Sequence, residues 1–115
     1  MPINVGAGLG SGLGGADNAS SVVSTRKAIT TSGTPETLVA TSTPCFLVLV
    51  SADLENTVGP MVVGDSSIDA TGAAQSGVVI VPGNDPVPFY VNDVSLLYAD
   101  AQTNGDAVCF TYFVK

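Results

Sequence analysis

Residues 45–51 read Cys-Phe-Leu-Val-Leu-Val-Ser, and this stretch decides the fold class. It is far too short to span a bilayer as a helix. Its β-branched and large apolar residues suit a buried strand. Continuous apolarity predicts cover on both faces. A second sheet would supply one cover, and a neighbouring subunit or the chain's own arm the other. Thr41-Ser42-Thr43-Pro44 precedes the run as a turn, and Asp53 to Pro60 follows it as a loop.

Working outward, the same pattern repeats. Upstream, Lys27–Thr31 and Glu36–Ala40 read as strands separated by Ser32-Gly33-Thr34-Pro35. Downstream, Met61–Gly64 is a short strand, Asp65–Ser76 an irregular connection and Gly77–Val81 another strand. Pro82-Gly83-Asn84-Asp85-Pro86 is a dense turn signal. Val87–Val91 contains Pro88, which predicts an edge position because proline cannot donate to a ladder. Ser95–Ala99 reads as a strand, Asn104-Gly105 as a hairpin turn and Val108–Val114 as the last strand. In that strand Val108, Phe110, Tyr112 and Val114 share one face, and Cys109, Thr111 and Phe113 the other.

About eight short strands with frequent turn signals and no helical periodicity predict an all-β chain, a β-sandwich of jelly-roll or immunoglobulin-like type. Tryptophan is absent, so the immunoglobulin tryptophan hallmark is missing. Residues 1–25 differ from the rest: Gly6 to Gly15 is dominated by glycine, which loses the most entropy on ordering. We expect an extended, flexible arm over 1–25 and a sandwich domain over 26–115. Ile3, Val5, Leu9, Leu13, Val22 and Val23 are spaced along the arm as candidate partner-binding residues. Arg26 and Lys27, where arm meets domain, are candidate anchors on an acidic partner surface.

Composition excludes several functions. Apolar residues make up 45% and charged residues only 11%, against about 25% charged in typical domains. Serine, threonine, asparagine and glycine must therefore cover the surface, which suits packing against other protein. The formal net charge is −7, with Arg26, Lys27 and Lys115 the only basic residues. Phosphate neutralisation needs many more, so neither nucleic acid nor an anionic membrane surface is an expected partner. The first residues lack the basic and apolar regions of a signal peptide, so synthesis in a cytoplasm is expected. Cys45 and Cys109 are then expected as buried reduced thiols, with an inter-sheet disulfide as the alternative.

The search for chemistry mostly eliminates. Histidine is absent, so a Ser-His-Asp or Cys-His arrangement cannot form. Gly6-Ala7-Gly8-Leu9-Gly10 lacks a phosphate-binding lysine and a preceding strand. Asp53, Glu55, Asp65 and Asp69 cluster on loops, where a calcium ion or a carboxylate pair for glycoside hydrolysis is conceivable. Their spacing matches no EF-hand, and solvated loop acids are the plainer reading. No catalysis, cofactor or metal is expected.

The order of several short motifs resembles a group of small tailed-bacteriophage virion proteins. The pieces are Ile29-Thr30-Thr31-Ser32-Gly33-Thr34-Pro35-Glu36-Thr37-Leu38, Thr43-Pro44-Cys45, Val62-Val63-Gly64, Val81-Pro82-Gly83, Val91-Asn92-Asp93-Val94 and Asn104-Gly105-Asp106-Ala107-Val108. The resemblance covers roughly 28–115. It implies a capsid decoration (cement) protein, a β-sandwich assembled as a homotrimer on the outside of the shell. The partner would be the major capsid protein, with the arm bridging neighbouring subunits. The protein would be made in the bacterial host cytoplasm and end on the virion. The resemblance carries over no functional residues. The alternative is a tail or fibre module that binds a host surface carbohydrate on its loops.

Overall fold

The computed structural model describes residues 18–56, 60–72 and 74–115. Eight strands form among these residues: β1 (Ser21–Ala28), β2 (Glu36–Thr37), β3 (Leu47–Ala52), β4 (Met61–Gly64), β5 (Val78–Ile80), β6 (Val87–Phe89), β7 (Tyr98–Asp100) and β8 (Ala107–Val114). They pair into two antiparallel four-stranded sheets. Sheet A has the order β1-β8-β3-β6, and sheet B the order β2-β7-β4-β5.

The period-two pattern of the longest strands aims one set of side chains into a shared core. From sheet A come Val48, Val50, Ala52, Val108 and Phe110; from sheet B come Met61, Val63, Ile80 and Ala99. Ile29, Leu38, Val94 and Leu97 close the ends. Val108, Phe110 and Tyr112 face this core as their alternation predicts. The architecture is therefore all-β and sandwich-like, as expected.

Four sequence expectations need correction. The first strand starts at Ser21, so residues 21–25, assigned above to the arm, are part of sheet A. Val22, Val23 and Thr25 are β-branched, and β8 offers a partner in unbroken register from Ser21↔Val114 to Ala28↔Ala107. The expected second strand shrinks to Glu36–Thr37, because Leu38 turns into the core. The expected strand over 95–99 starts instead as a short 3-10 helix, Val94–Leu96. Asp93 causes this, since its carboxylate accepts the Ser95 N–H at 2.9 Å. Finally, Asn104-Gly105 does turn, with Gly105 at φ +93°, but it connects β7 in sheet B to β8 in sheet A. It is a crossing between sheets rather than a hairpin. The Gly105 N–H is held by the Ile29 carbonyl at 2.8 Å.

Sheet B also has a covered outer face. Val62 points away from the main core, yet it is fully buried beneath Ile68 and Ala70 from the β4–β5 connection. Two glycines permit this close approach. A Cβ on Gly77, at φ +122°, would lie 2.9 Å from Val62 Cβ, and one on Gly64 would lie 2.8 Å from Ile68 Cγ2. Asp100, also buried, locks the region. Its carboxylate accepts N–H groups from Gly33, Ala70 and Ala101, each at 2.9 Å.

Candidate interaction surface

Among the described residues, the outer face of sheet A has no such cover. Directly opposed residues of an antiparallel ladder share a face, so the register places Val22, Leu47 and Phe113 in one row. Ser24, Thr111, Leu49 and Pro88 form the next, and Arg26, Cys109 and Ser51 the third. Val22 is 56% exposed, while Leu47, Leu49 and Phe113 are half-buried. Phe46 extends the apolar end, its ring 6.4 Å from that of Phe113, and Lys115 lies 5.4 Å over it. The result is an apolar stripe with a cation at one rim. Phe46, Leu47, Leu49, Phe113 and Lys115 were absent from the candidate residues. For Phe46, Leu47 and Leu49 the signal was present in the unbroken apolarity of residues 45–50, and for Phe113 in its place on the second face of the last strand.

β1 borders this face. Its residues 21–26 are exposed throughout. Val22 points to the outer side, and Val23, on the core side, remains 38% exposed. Both candidate anchors are engaged within the chain. Arg26 Nε reaches back across the sheet to Asp53 Oδ2 at 2.7 Å, and Lys27 Nζ meets Glu36 Oε1 at 3.0 Å. The Arg26 guanidinium is raised above its usual range by this Asp53 contact. Asp53 is held low by the Glu55 N–H and then by Arg26. Of the candidate arm residues, the structure brings Val22 and Val23 together with Arg26 and Lys27 on one strand. Ile3, Val5, Leu9 and Leu13 lie outside the described residues.

The loop carboxylates are engaged locally. Asp65 accepts from the Ser67 hydroxyl and N–H, and Asp69 from the N–H groups of Thr71 and Gly72. These bonds hold both carboxyls below their ordinary range. No cluster of three metal-ligating side chains and no pocket occurs among the described residues. The two thiols are free. Cys45 lies near one end of β3, with Sγ 3.2 Å from the Val91 carbonyl, while Cys109 pairs with Ser51 near the other. Six residues of strand separate Cys45 from Ser51, about 20 Å, which rules out the disulfide alternative. Burial, then the Asp93 charge, pushes the Cys45 thiol up.

Several motif pieces behind the resemblance fall on polar locks of the fold. Glu36 accepts from the Thr30 hydroxyl at 2.8 Å and from the N–H groups of Thr30 and Thr31 at 3.0 and 2.9 Å. Burial pushes its carboxyl up, but these bonds and Lys27 outweigh that and bring it down to about 2. Asp93 joins Ser42, Thr43 and Ser95, whose hydroxyls and N–H groups hold it far below the usual range. Asn104 accepts the Ser32 N–H at 2.7 Å. These pieces specify how the chain turns and leave the outer face of sheet A unspecified. Comparison with family models, curated proteins and solved structures finds no match.

Proposed function

We propose that this chain is a capsid decoration (cement) protein of a tailed bacteriophage, a β-sandwich that docks on the outer surface of the shell and bridges neighbouring capsid subunits. The observation that carries the reading is the outer face of sheet A, which no described residue covers. Its stripe of Val22, Phe46, Leu47, Leu49 and Phe113 is nearly free of charge and suits burial against another protein. The order of the motif pieces from Ile29 to Val108 adds the phage context. The mechanism is binding alone. The sheet face provides one contact and the segment before β1 a second, and tethering the two raises avidity. Repeated over many copies, modest contacts would resist outward pressure on the shell.

Electron microscopy of the parent particle tests this. The expected result is sandwich density over the shell with the outer face of sheet A turned toward capsid subunits. Finding the chain only in the tail or fibres, or absent from the particle, overturns it. Deleting residues 1–17 is expected to weaken shell binding while leaving the sandwich folded. The carbohydrate-binding alternative draws on one strongly exposed aromatic, Tyr90 at 79%. A single ring makes a poor sugar platform, and the cement reading is preferred.

A further inference from the structure

A sheet edge exposes a row of unpaired N–H and C=O groups, which proteins ordinarily blunt. Among the described residues the two sheets have four edges, and three of them are blunted. β2 has two residues and β5 three, and β6 carries Pro88, which has no N–H. β1 is different. It runs eight residues without proline, glycine or a break in register.

The direction of its free groups follows from the ladder. The Ile29 N–H donates to the Asp106 carbonyl at 2.9 Å. Alternation then turns the amides of Ser21, Val23, Thr25 and Lys27 toward β8 and those of Val22, Ser24, Arg26 and Ala28 toward the open edge. Charged side chains often guard such an edge, but here they are drawn away from it. Arg26 lies back over β8 to Asp53, and Lys27 turns to Glu36 in the other sheet. Ser24 likewise leans inward, 2.9 Å from the Thr111 hydroxyl.

We propose that the β1 edge pairs with the β1 edge of a second copy of this chain, antiparallel and about a twofold axis, joining two four-stranded sheets into one of eight strands. An antiparallel edge is self-complementary, so a second copy supplies matching donors and acceptors. The twofold axis stands perpendicular to the sheet, so residues on the same face must oppose each other. The register centred on Ser24 satisfies this. It places Val22 opposite Arg26, Val23 opposite Thr25 and Ser21 opposite Lys27, with no like charges opposed. The chain's net charge of −7 resists association in general, but β1 has no acidic residue and carries two of the three cations. The contact is twofold, so it makes dimers, or pairs of larger oligomers that are built through another surface. It stands on β1 alone and does not depend on the capsid reading.

The test is sedimentation equilibrium of the full chain over a range of concentrations. Wild type is expected to show a monomer–dimer step. Ser24→Pro removes an edge-facing N–H and spares the β8 ladder. It should weaken dimerisation roughly tenfold or more, a loss of about 1.4 kcal/mol or more, with thermal unfolding of the dilute monomer nearly unchanged. Thr25→Pro, by contrast, breaks the ladder itself and should lower the melting temperature. Ser24→Lys and Ser24→Glu test the register even if the proline variant misfolds. Each alone places like charges across the axis and should stay monomeric, and an equal mixture should pair. A wild type that is monomeric throughout overturns the proposal. So does a folded Ser24→Pro that dimerises like wild type, or charge variants that do not discriminate between self and mixture. Loss of shell binding in Ser24→Pro with self-association unchanged would assign the edge to a different protein and equally overturn it.

Discussion

The two sheets treat their outer faces in opposite ways. Sheet B roofs its own: Ile68 and Ala70 fold back over Val62, Gly64 and Gly77 make room, and Asp100 fixes the segment from below. Sheet A leaves its outer stripe open, bordered by a strand exposed on both sides. The chain thus devotes a loop and a buried carboxylate to closing one face. On the other it presents apolar residues with nothing of comparable design above them among the described residues. The roofed face serves stability, and the open face is the one that the proposed docking uses.

Substitutions on the two sides should therefore differ in kind. The largest effect is expected at Asp100→Ala, which leaves three buried or half-buried N–H groups without their acceptor and should cost about 4 kcal/mol in chemical denaturation. A loss under about 1 kcal/mol would mean the roof is held without it. Ile68→Ala removes the roof's main apolar contact and should cost about 3 kcal/mol.

The third prediction concerns the lock between β1 and β2. The folded Glu36 carboxyl lies at about 2, against 4.5 ordinarily. Its contribution is therefore present above about pH 4.5 and is lost as pH falls toward 2. Glu36→Gln should cost about 1–2 kcal/mol near neutrality. The variant should also lose stability less steeply between pH 4.5 and 2 than wild type, measured by thermal unfolding across that range.

The smallest effect belongs to the open face. Val22→Ala removes an aliphatic side chain, as Ile68→Ala does, yet its stability cost should stay under about 0.5 kcal/mol because the residue is more than half exposed. On the proposed capsid reading, its consequence should be weaker shell binding in a co-sedimentation assay. If Val22→Ala destabilised the monomer as much as Ile68→Ala, the contrast between the faces would fail.

Much of this fold was legible in the sequence. Met61–Gly64 is observed with the expected bounds, Pro88 lies on an edge strand, and the alternation in the last strand places Val108, Phe110 and Tyr112 correctly on the core face. The misreadings share a cause, which is that local patterns do not encode partners at a distance. Ser21–Thr25 resembles the neighbouring flexible segment until β8 provides a ladder for it. Asn104-Gly105 marks a turn but not which sheet each flank joins. Ser95–Ala99 reads as a strand, and only the Asp93 side chain shows why the chain first coils over Val94–Leu96. The candidate surface was half legible. Unbroken apolarity at 45–50 signalled two faces that need cover, and the strand pairing identified which of them remains open.

The placement of β8 sets the order in which the molecule can be completed. β8 comes last among the strands, yet it lies inside sheet A, between β1 and β3. The Ser20 hydroxyl bonds to the Val114 carbonyl 94 residues away. During synthesis β1 emerges early and has no neighbour in its sheet until β8 leaves the ribosome. β3 and β6 can pair as soon as β6 emerges, but β1 joins them only in a late step, when β8 fills the place between β1 and β3. Such long-range closure folds slowly. Until it happens the edge residues of β1 lack the β8 ladder, and pairing with another copy becomes well defined only once the chain has finished folding.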